Sequence, residues 1–195
     1  MDIAIGVFLG LGLAASCGFR VFVPLLITNI GSLFGWVNLS HAFEWMGSWP
    51  AFAIFLTATI AEIGAYYIPW LDNALDTVSV PLATVAGTLL SVSFMTDLPP
   101  MVQWTLGIIV GGGTAAIIKT AAGATRLGSS ASTGGLTNWI VATVEHIASF
   151  IMSILSYLLP VIMGFVAVGI FAYSIYRINL WRKRRRLHPS ENMNS

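Results

Sequence analysis

Long apolar stretches dominate this sequence and leave it few charges with which to cover a soluble globule. Of its 195 residues, 56% are hydrophobic and 9% are charged, whereas a soluble domain usually carries about 25% charged residues. Five apolar runs reach or approach the length of a membrane crossing: residues 3–35, 50–71, 77–95, 101–123 and 139–176. The sequence therefore predicts an all-α polytopic membrane protein with about five to seven transmembrane or re-entrant helices.

Three of these runs fit a single crossing: residues 50–71, 77–95 and 101–123. Pro81 is expected in the first turn of its helix or at a kink, because proline lacks the backbone donor that a helix interior needs. Residues 133–176 are longer. There we expect a short helix near residues 136–146 followed by a span near residues 147–175, or one continuous helix.

Two segments carry residues that interrupt helices. In the first run, Gly18 and Pro24 flank Arg20, and a broken or kinked helix is expected there because Pro24 removes one backbone donor. Residues 123–135 (GATRLGSSASTGG) indicate a Gly/Ser/Thr-rich loop, either flexible or ordered around an anion. Its last two residues, Gly134 and Gly135, are expected to open a helix terminus toward a site.

Two stretches of the chain are similar to each other. GVFLGLGLAA at residues 6–15 aligns with GIIVGGGTAA at residues 107–116, with five small residues in matching positions. Stripes of small residues let membrane helices approach closely. Because three single spans would precede the second copy, we expect an inverted internal repeat with halves at about residues 3–95 and 101–176. Coincidence is the alternative, since small residues are common in membrane helices.

Basic residues are concentrated after the last apolar run. Six of the nine Lys and Arg residues lie within Arg177–Arg186, and basic residues close to a span end favour the cytoplasmic side. We expect residues 1–176 to form a single transmembrane helical domain and residues 177–195 a basic cytoplasmic tail. Five crossings would then place the N-terminus outside. The partner implied is the lipid bilayer, and no nucleic acid is expected.

Ionisable residues inside the apolar runs are the candidates for function, because a charge at the bilayer centre costs about 2.5–3.5 kcal/mol. The candidate substrate- or ion-binding residues are Arg20, Glu62, Asp72, Asp76, Lys119, Asn138, Glu145 and His146. The charges expected to lie deepest are two cations, Arg20 and Lys119, and two acids, Glu62 and Glu145. We expect Arg20 to face Glu62 or Glu145 inside the bundle.

Two pairs of titratable residues have a defined spacing. Asp72 and Asp76 lie four residues apart, on one face of a helix. They are expected either to bind a cation through oxygen ligands or to lie at the interface as first-turn acids. Glu145 and His146 are adjacent, so they diverge by about 100° around a helix and cannot form one rigid chelate. His146 suits proton coupling, or it is a packing residue.

Motifs of enzymes and cofactor sites do not occur. GTAAIIKT at residues 113–120 resembles the phosphate-binding loop G-x-x-x-x-G-K-T, but Ile118 replaces the second glycine. The sequence contains no H-E-x-x-H, no G-x-S-x-G and no Cys/His cluster. We therefore expect no enzyme and no cofactor, and leave open whether a metal binds.

Three segments together resemble a known family: LGLGLAASCGFRVFVPLLITNIGSLFGW, LDNALDTV and STGGLTNWIVATVEHIASFIMSILSYLLPV. They are similar to a family of bacterial integral membrane proteins, domain of unknown function 4126. Its most specific segment, T-G-G-x-x-N followed by a glutamate, is filled here by Thr133, Gly134, Gly135, Asn138 and Glu145. The resemblance covers most of residues 5–170 and implies a bacterial inner-membrane protein, without implying an activity.

Two functions remain open at this point. The first is a small transporter or channel-like protein that moves a small ion or polar solute through a charged midplane site between inverted halves, working as a homo-oligomer. In it, Arg20 and Lys119 hold an anionic group or balance the acids. Glu62 and Glu145 bind a cation or a proton. The alternative is a non-transporting membrane scaffold or accessory subunit whose intramembrane ion pairs are structural.

Overall fold

The computed structural model consists of helices, with no strand in the part of the chain that it describes. That part comprises residues 3–65, 69–96, 98–133 and 138–187, without the side chains of 69–77, 128–133, 138–139 and 183–187. Its α-helices are α1 (Ile3–Phe19), α2 (Phe22–Leu33), α3 (Trp49–Ala65), α4 (Pro69–Phe94), α5 (Pro100–Leu106), α6 (Gly113–Thr133), α7 (Asn138–Leu158) and α8 (Pro160–Leu187). A 3-10 helix, His41–Gly47, precedes α3, and a π-helical segment, Gly107–Gly112, joins α5 to α6.

Several of these helices are long and apolar enough to cross a bilayer. Among the described residues, the candidates are Pro100–Leu127, Ile140–Leu158 and Pro160–Arg182. A fourth is the 3-10 helix together with α3, bent by 63° where they meet. The remaining apolar helices are shorter: Ile3–Phe19, Phe22–Leu33 and Val78–Phe94. The prediction of an all-α polytopic membrane protein is confirmed.

The first apolar run folds back on itself at Arg20. Contacts with α7 at successive positions of the run show the reversal: Gly12 with Ser156, Ser16 with Ser149 and Thr28 with Tyr157. The chain therefore advances along α7 in one direction up to Arg20 and returns in the other. We call α1 and α2 the helical hairpin, and residues Phe19–Phe22 its tip.

The expected helix-breaking residues flank this turn without forming it. Gly18 lies in the last turn of α1, where a Cβ would come within 3.1 Å of the Ala115 carbonyl oxygen, so it serves close packing against α6. Pro24 is the third residue of α2, a position whose N–H has no intrahelical acceptor and where proline therefore costs no hydrogen bond. The break itself lies at Arg20 and Val21.

The two stripes of small residues both pack against α4. On α1, a Cβ at Gly10 would lie 2.9 Å from the Ser91 Cα. On the π-helical segment, a Cβ at Gly111 would lie 2.6 Å from the Gly87 carbonyl oxygen. Both stripes therefore allow the helix backbones to approach closely inside the bundle, as small residues do in membranes.

The direction of these contacts contradicts the predicted inverted relation between the two copies. Along α1, Gly10 lies beside Ser91 and Ala14 lies beside Gly87, so α1 is antiparallel to α4. From α5 to α6, Gly107 lies beside Val92 and Gly112 beside Thr84 and Thr88. Both copies are thus antiparallel to α4 and parallel to each other. The helical hairpin adds one reversal that the count of single spans left out.

Two other predictions about residues 123–176 were wrong. α6 continues to Thr133, so most of the predicted loop at residues 123–135 is helical. The predicted boundary near residue 146 falls inside α7, and the chain instead breaks at Leu159. Pro160 then starts α8, since proline is well suited to the first helical position.

Two helices, α4 and α8, extend further than the predicted apolar runs. Pro81 lies inside α4, well beyond its first turn, because that helix already begins at Pro69. α8 continues past residue 176 to Leu187, so the basic segment begins as a continuation of the last helix. The predicted boundary at residue 176 is therefore not a break in the helix, and the division into a membrane domain and a tail stays a prediction.

Candidate functional site

Charged side chains are buried where the hairpin tip meets α3, α6 and α7. Each of them is at most 6% exposed: Arg20, Glu62, Lys119, Arg126 and Glu145. We call these five residues the charged cluster. Because they come from the tip and three further helices, the cluster forms only when the bundle assembles around the hairpin.

Glu62, near the end of α3, caps the N-terminus of α2. Its Oε1 accepts a hydrogen bond from the Val21 amide at 2.9 Å, and its Oε2 accepts one from the Phe22 amide at 3.1 Å. The first amides of a helix have no acceptor within the helix and form the positive end of its dipole. The carboxylate is therefore stabilised at this position by backbone groups.

Lys119, on α6, caps the other side of the tip. Its Nζ donates a hydrogen bond to the Phe19 carbonyl oxygen at 3.2 Å. The last carbonyls of a helix form the negative end of its dipole, which favours a cation. The two helix ends that meet at the tip are thus each matched by a buried side chain of opposite charge.

Glu145, on α7, joins two guanidinium groups. Its Oε2 lies 2.9 Å from Nη2 of Arg20 and also contacts Nη2 of Arg126. The same Arg20 nitrogen donates to the Ala142 carbonyl oxygen at 3.0 Å. Of the two acids considered as partners for Arg20, Glu145 is the one that contacts it. This carboxylate connects the tip, α6 and α7.

Arg126 was missed as a site residue, because it falls in a segment predicted to be a loop. Since α6 is helical through Thr133, Arg126 lies seven residues after Lys119, which is about two turns further along the same face. A charge spacing of seven residues was the signal that could have placed it with Lys119.

Ser149 and His146 lie close to Glu145 on α7 and make different contacts. The hydroxyl of Ser149, which is fully buried, donates to the Ser16 carbonyl oxygen at 3.1 Å and so ties α7 to α1 about one turn from Glu145. His146 is half-buried, and its Nδ1 lies 2.7 Å from the Ala142 carbonyl oxygen of its own helix. Glu145 and His146 therefore make different contacts, as their spacing predicts.

Other predicted site residues lie outside the part of the chain that is described in full. The side chains of Asp72, Asp76 and Asn138, and the backbone of Gly134 and Gly135, are among them. Within the described part, no group of three or more His, Cys, Asp and Glu residues is placed to hold a metal ion.

A cavity of about 280 Å³ between α6 and α7 reaches the charged cluster. Its lining is Phe19, Ala122, Thr125, Ile140, Val141, Val144 and Glu145. Ile140 and Val144 are exposed on the outside of the bundle, so the cavity connects that surface with the Glu145 side chain. A larger cavity, of about 520 Å³ between α2 and α7, has no charged residue in its lining.

Comparisons with known proteins give a family for this chain. No curated protein and no solved structure matches it. The family model described as domain of unknown function DUF4126 matches residues 7–179, a range that contains the hairpin tip and the whole charged cluster. The chain is therefore a member of the DUF4126 family.

Proposed function

We propose that this protein is a small inner-membrane transporter or channel-like protein for a small ion or polar solute, working as a homo-oligomer. The observation that carries the proposal is the charged cluster, buried in an otherwise apolar bundle. Replacing buried ion pairs by apolar residues of similar volume is often neutral or stabilising. A bundle that needed only to pack therefore has little reason to keep five buried charges, whereas a polar pathway needs them.

The ends of α1 and α2 support the same proposal. Secondary transporters commonly bind their solutes where discontinuous helices end inside the membrane, because free amides and carbonyls are available there. Here the helical hairpin ends among the charges, with its Val21 and Phe22 amides on Glu62 and its Phe19 carbonyl on Lys119. The cavity between α6 and α7 provides an approach to this position.

A membrane scaffold or accessory subunit is the second candidate, and one observation favours it. Each member of the charged cluster contacts another member or the backbone of the hairpin tip. Such contacts can also serve to hold the hairpin against α3, α6 and α7. Solute flux is the measurement that separates the two functions.

Replacing Glu145 by glutamine should abolish transport without unfolding the protein. The amide oxygen still accepts from Arg20 and Arg126, but the negative charge is lost. We expect wild-type proteoliposomes to move at least one of Na⁺, K⁺, H⁺, Cl⁻ or a small polar solute faster than empty liposomes. Flux in the Glu145→Gln variant should fall to the level of empty liposomes.

Glu44→Gln is the matched control, because the Glu44 side chain is 65% exposed and pairs only locally with His41 in the 3-10 helix. Its flux should equal that of the wild type. If no solute in this panel moves through the wild type, and Glu145→Gln changes only the thermal stability, the scaffold function replaces the transporter.

The chain termini should lie on opposite sides of the membrane, with the C-terminus in the cytoplasm. α1 and α8 begin at the same end of the bundle, where Gly164 packs against Phe8. From there α8 runs alongside α6 toward the other end, so the two termini lie at opposite ends. The basic segment at the end of α8 favours the cytoplasm. A C-terminal fluorescent-protein fusion should therefore fluoresce, and a C-terminal alkaline phosphatase fusion should be inactive.

The N-terminus needs its own measurement. A cysteine at Asp2 in a Cys17→Ala background should react with an impermeant maleimide added outside intact spheroplasts. An active phosphatase fusion, or an N-terminal cysteine that reacts only after lysis, would contradict this topology.

A further inference from the structure

We propose that the charged cluster binds a small monovalent anion at the Lys119 ammonium, and that the Glu62 carboxylate occupies the position of this anion at the N-terminus of α2. This inference rests on the proposed transport function and names its substrate class: anions of the size of chloride, nitrate or formate.

Lys119 provides the first observation. An ammonium group carries three N–H donors, and Lys119 is 3% exposed. Its Nζ donates to the Phe19 carbonyl, and no carboxylate oxygen of the described residues lies within 4.0 Å of it. Two of its donors thus lack an acceptor in that part of the chain. Buried donors are nearly always satisfied by protein groups, ordered water or a ligand, so this ammonium can accept a further partner such as an anion.

The N-terminus of α2 provides the second observation. Helix N-termini bind free anions through their amides and dipole. Here the two carboxylate oxygens of Glu62 accept from two successive amides, Val21 at 2.9 Å and Phe22 at 3.1 Å. A small free anion presents the same chemistry to these amides. Glu62 therefore acts as a tethered anion that a free one can displace.

Both groups act on the same few residues of the hairpin tip. Lys119 bonds to Phe19, and Glu62 bonds to Val21, two residues further on. Three of the five members of the charged cluster are cations, Arg20, Lys119 and Arg126, and two are carboxylates. An anion that reaches Lys119 is thus within the field of the guanidinium groups and next to the amides that Glu62 holds.

The neighbouring cavity provides room for a small anion beside the tip. It has a volume of about 280 Å³ and shares Phe19 with the tip, and its Ala122 lies one helical turn from Lys119. A water molecule takes about 30 Å³ in the liquid, so a small anion with a few waters fits. Among the described residues of its lining, the only charged one is Glu145, a carboxylate, so the attraction for an anion comes from Lys119 and not from the cavity wall.

Anion binding is tested on the purified full-length protein in detergent. Thermal unfolding is followed while sodium gluconate is replaced by sodium nitrate, chloride or formate at constant ionic strength. We expect the small anions to raise the melting temperature in a saturable manner, with gluconate, a much bulkier anion, as the reference. Lys119→Gln should raise the apparent Kd by about tenfold or more, because a charge-assisted hydrogen bond is lost.

Two substitutions serve as controls for Lys119→Gln. Lys119→Arg keeps the charge and the donors and should retain binding, even if Lys119→Gln folds poorly. Arg182→Gln removes one exposed cation from the end of α8 and should leave the apparent Kd unchanged. An equal loss of affinity in Arg182→Gln would show a general charge effect and overturn the site.

Glu62→Gln should act in the opposite direction. An uncharged amide competes less well for the Val21 and Phe22 amides, so the apparent Kd for nitrate should fall. If Glu62 is only a structural cap, this variant loses stability while its Kd stays unchanged. An identical melting temperature of the wild type in nitrate and gluconate would also overturn the inference. If cation flux depends on Glu145 but no anion binds, the anion-binding inference is wrong and the proposed transport function still stands.

Discussion

Replacing Glu145 by leucine should lower the free energy of unfolding by about 3–5 kcal/mol, the cost of breaking a buried ion pair by removing one partner. Oε2 of Glu145 contacts guanidinium groups from two different elements, Arg20 at the hairpin tip and Arg126 on α6. Leucine fills a similar volume but accepts no hydrogen bond, so both cations lose this carboxylate at once. Reversible unfolding in mixed detergent micelles measures the difference.

Two comparisons make this result specific. Glu44→Leu removes an exposed carboxylate paired with His41 and should cost less than about 1 kcal/mol. Arg126→Leu should cost less than Glu145→Leu, because Arg20 still holds the carboxylate. If Arg126→Leu is the more damaging of the two, Glu145 is not the centre of the cluster.

Alanine substitutions at two nearby glycines should change stability in opposite directions. At Gly111, a Cβ would lie 2.6 Å from the Gly87 carbonyl oxygen, and a backbone atom cannot move aside as a side chain does. Gly111→Ala should therefore push α4 away from the π-helical segment. We expect it to lower the free energy of unfolding by about 1–3 kcal/mol, as overpacking does.

Gly113→Ala is the matched comparison, because Gly113 lies two residues after Gly111, at the start of α6. No atom lies within 4 Å of the position of its Cβ, and alanine is favoured over glycine in a helix by about 0.5–1 kcal/mol. The substitution should therefore stabilise the protein by up to that amount. Changes of the same sign in both variants would show that the close contact with α4 does not limit packing.

The helical class was predictable from the sequence, whereas the path of the chain was not. Long apolar runs with few charges predict helices, because a helix satisfies its own backbone hydrogen bonds in lipid. A break near Arg20 was expected from Gly18 and Pro24, and the helix does break at Arg20 and Val21. The reversal of the chain at this break was not predicted, because the two-residue turn lies within an apolar run. Its amides and carbonyls are satisfied by Glu62 and Lys119, which are distant in sequence. A local pattern can therefore indicate the break but not the reversal.

Most charged residues of the site were predictable from the sequence, but their partners were not. Buried charges stand out in apolar runs, so Arg20, Glu62, Lys119 and Glu145 were identified without a structure. The cost of a charge in hydrocarbon says that partners exist, but not which ones they are. Backbone groups at the hairpin tip complete two of the contacts. Arg126 was missed because its polar surroundings indicated a loop.

The charged cluster also constrains how the protein is made. The ribosome releases the helical hairpin first, yet Lys119, Arg126 and Glu145 belong to helices that are synthesised much later. Until those helices enter the bilayer, Arg20 at its final depth would stand uncompensated by Glu145, and an isolated central charge costs about 2.5–3.5 kcal/mol. We therefore expect the nascent hairpin to stay near the headgroups until α6 and α7 have been inserted. It would then reach its final depth after helices that are synthesised later.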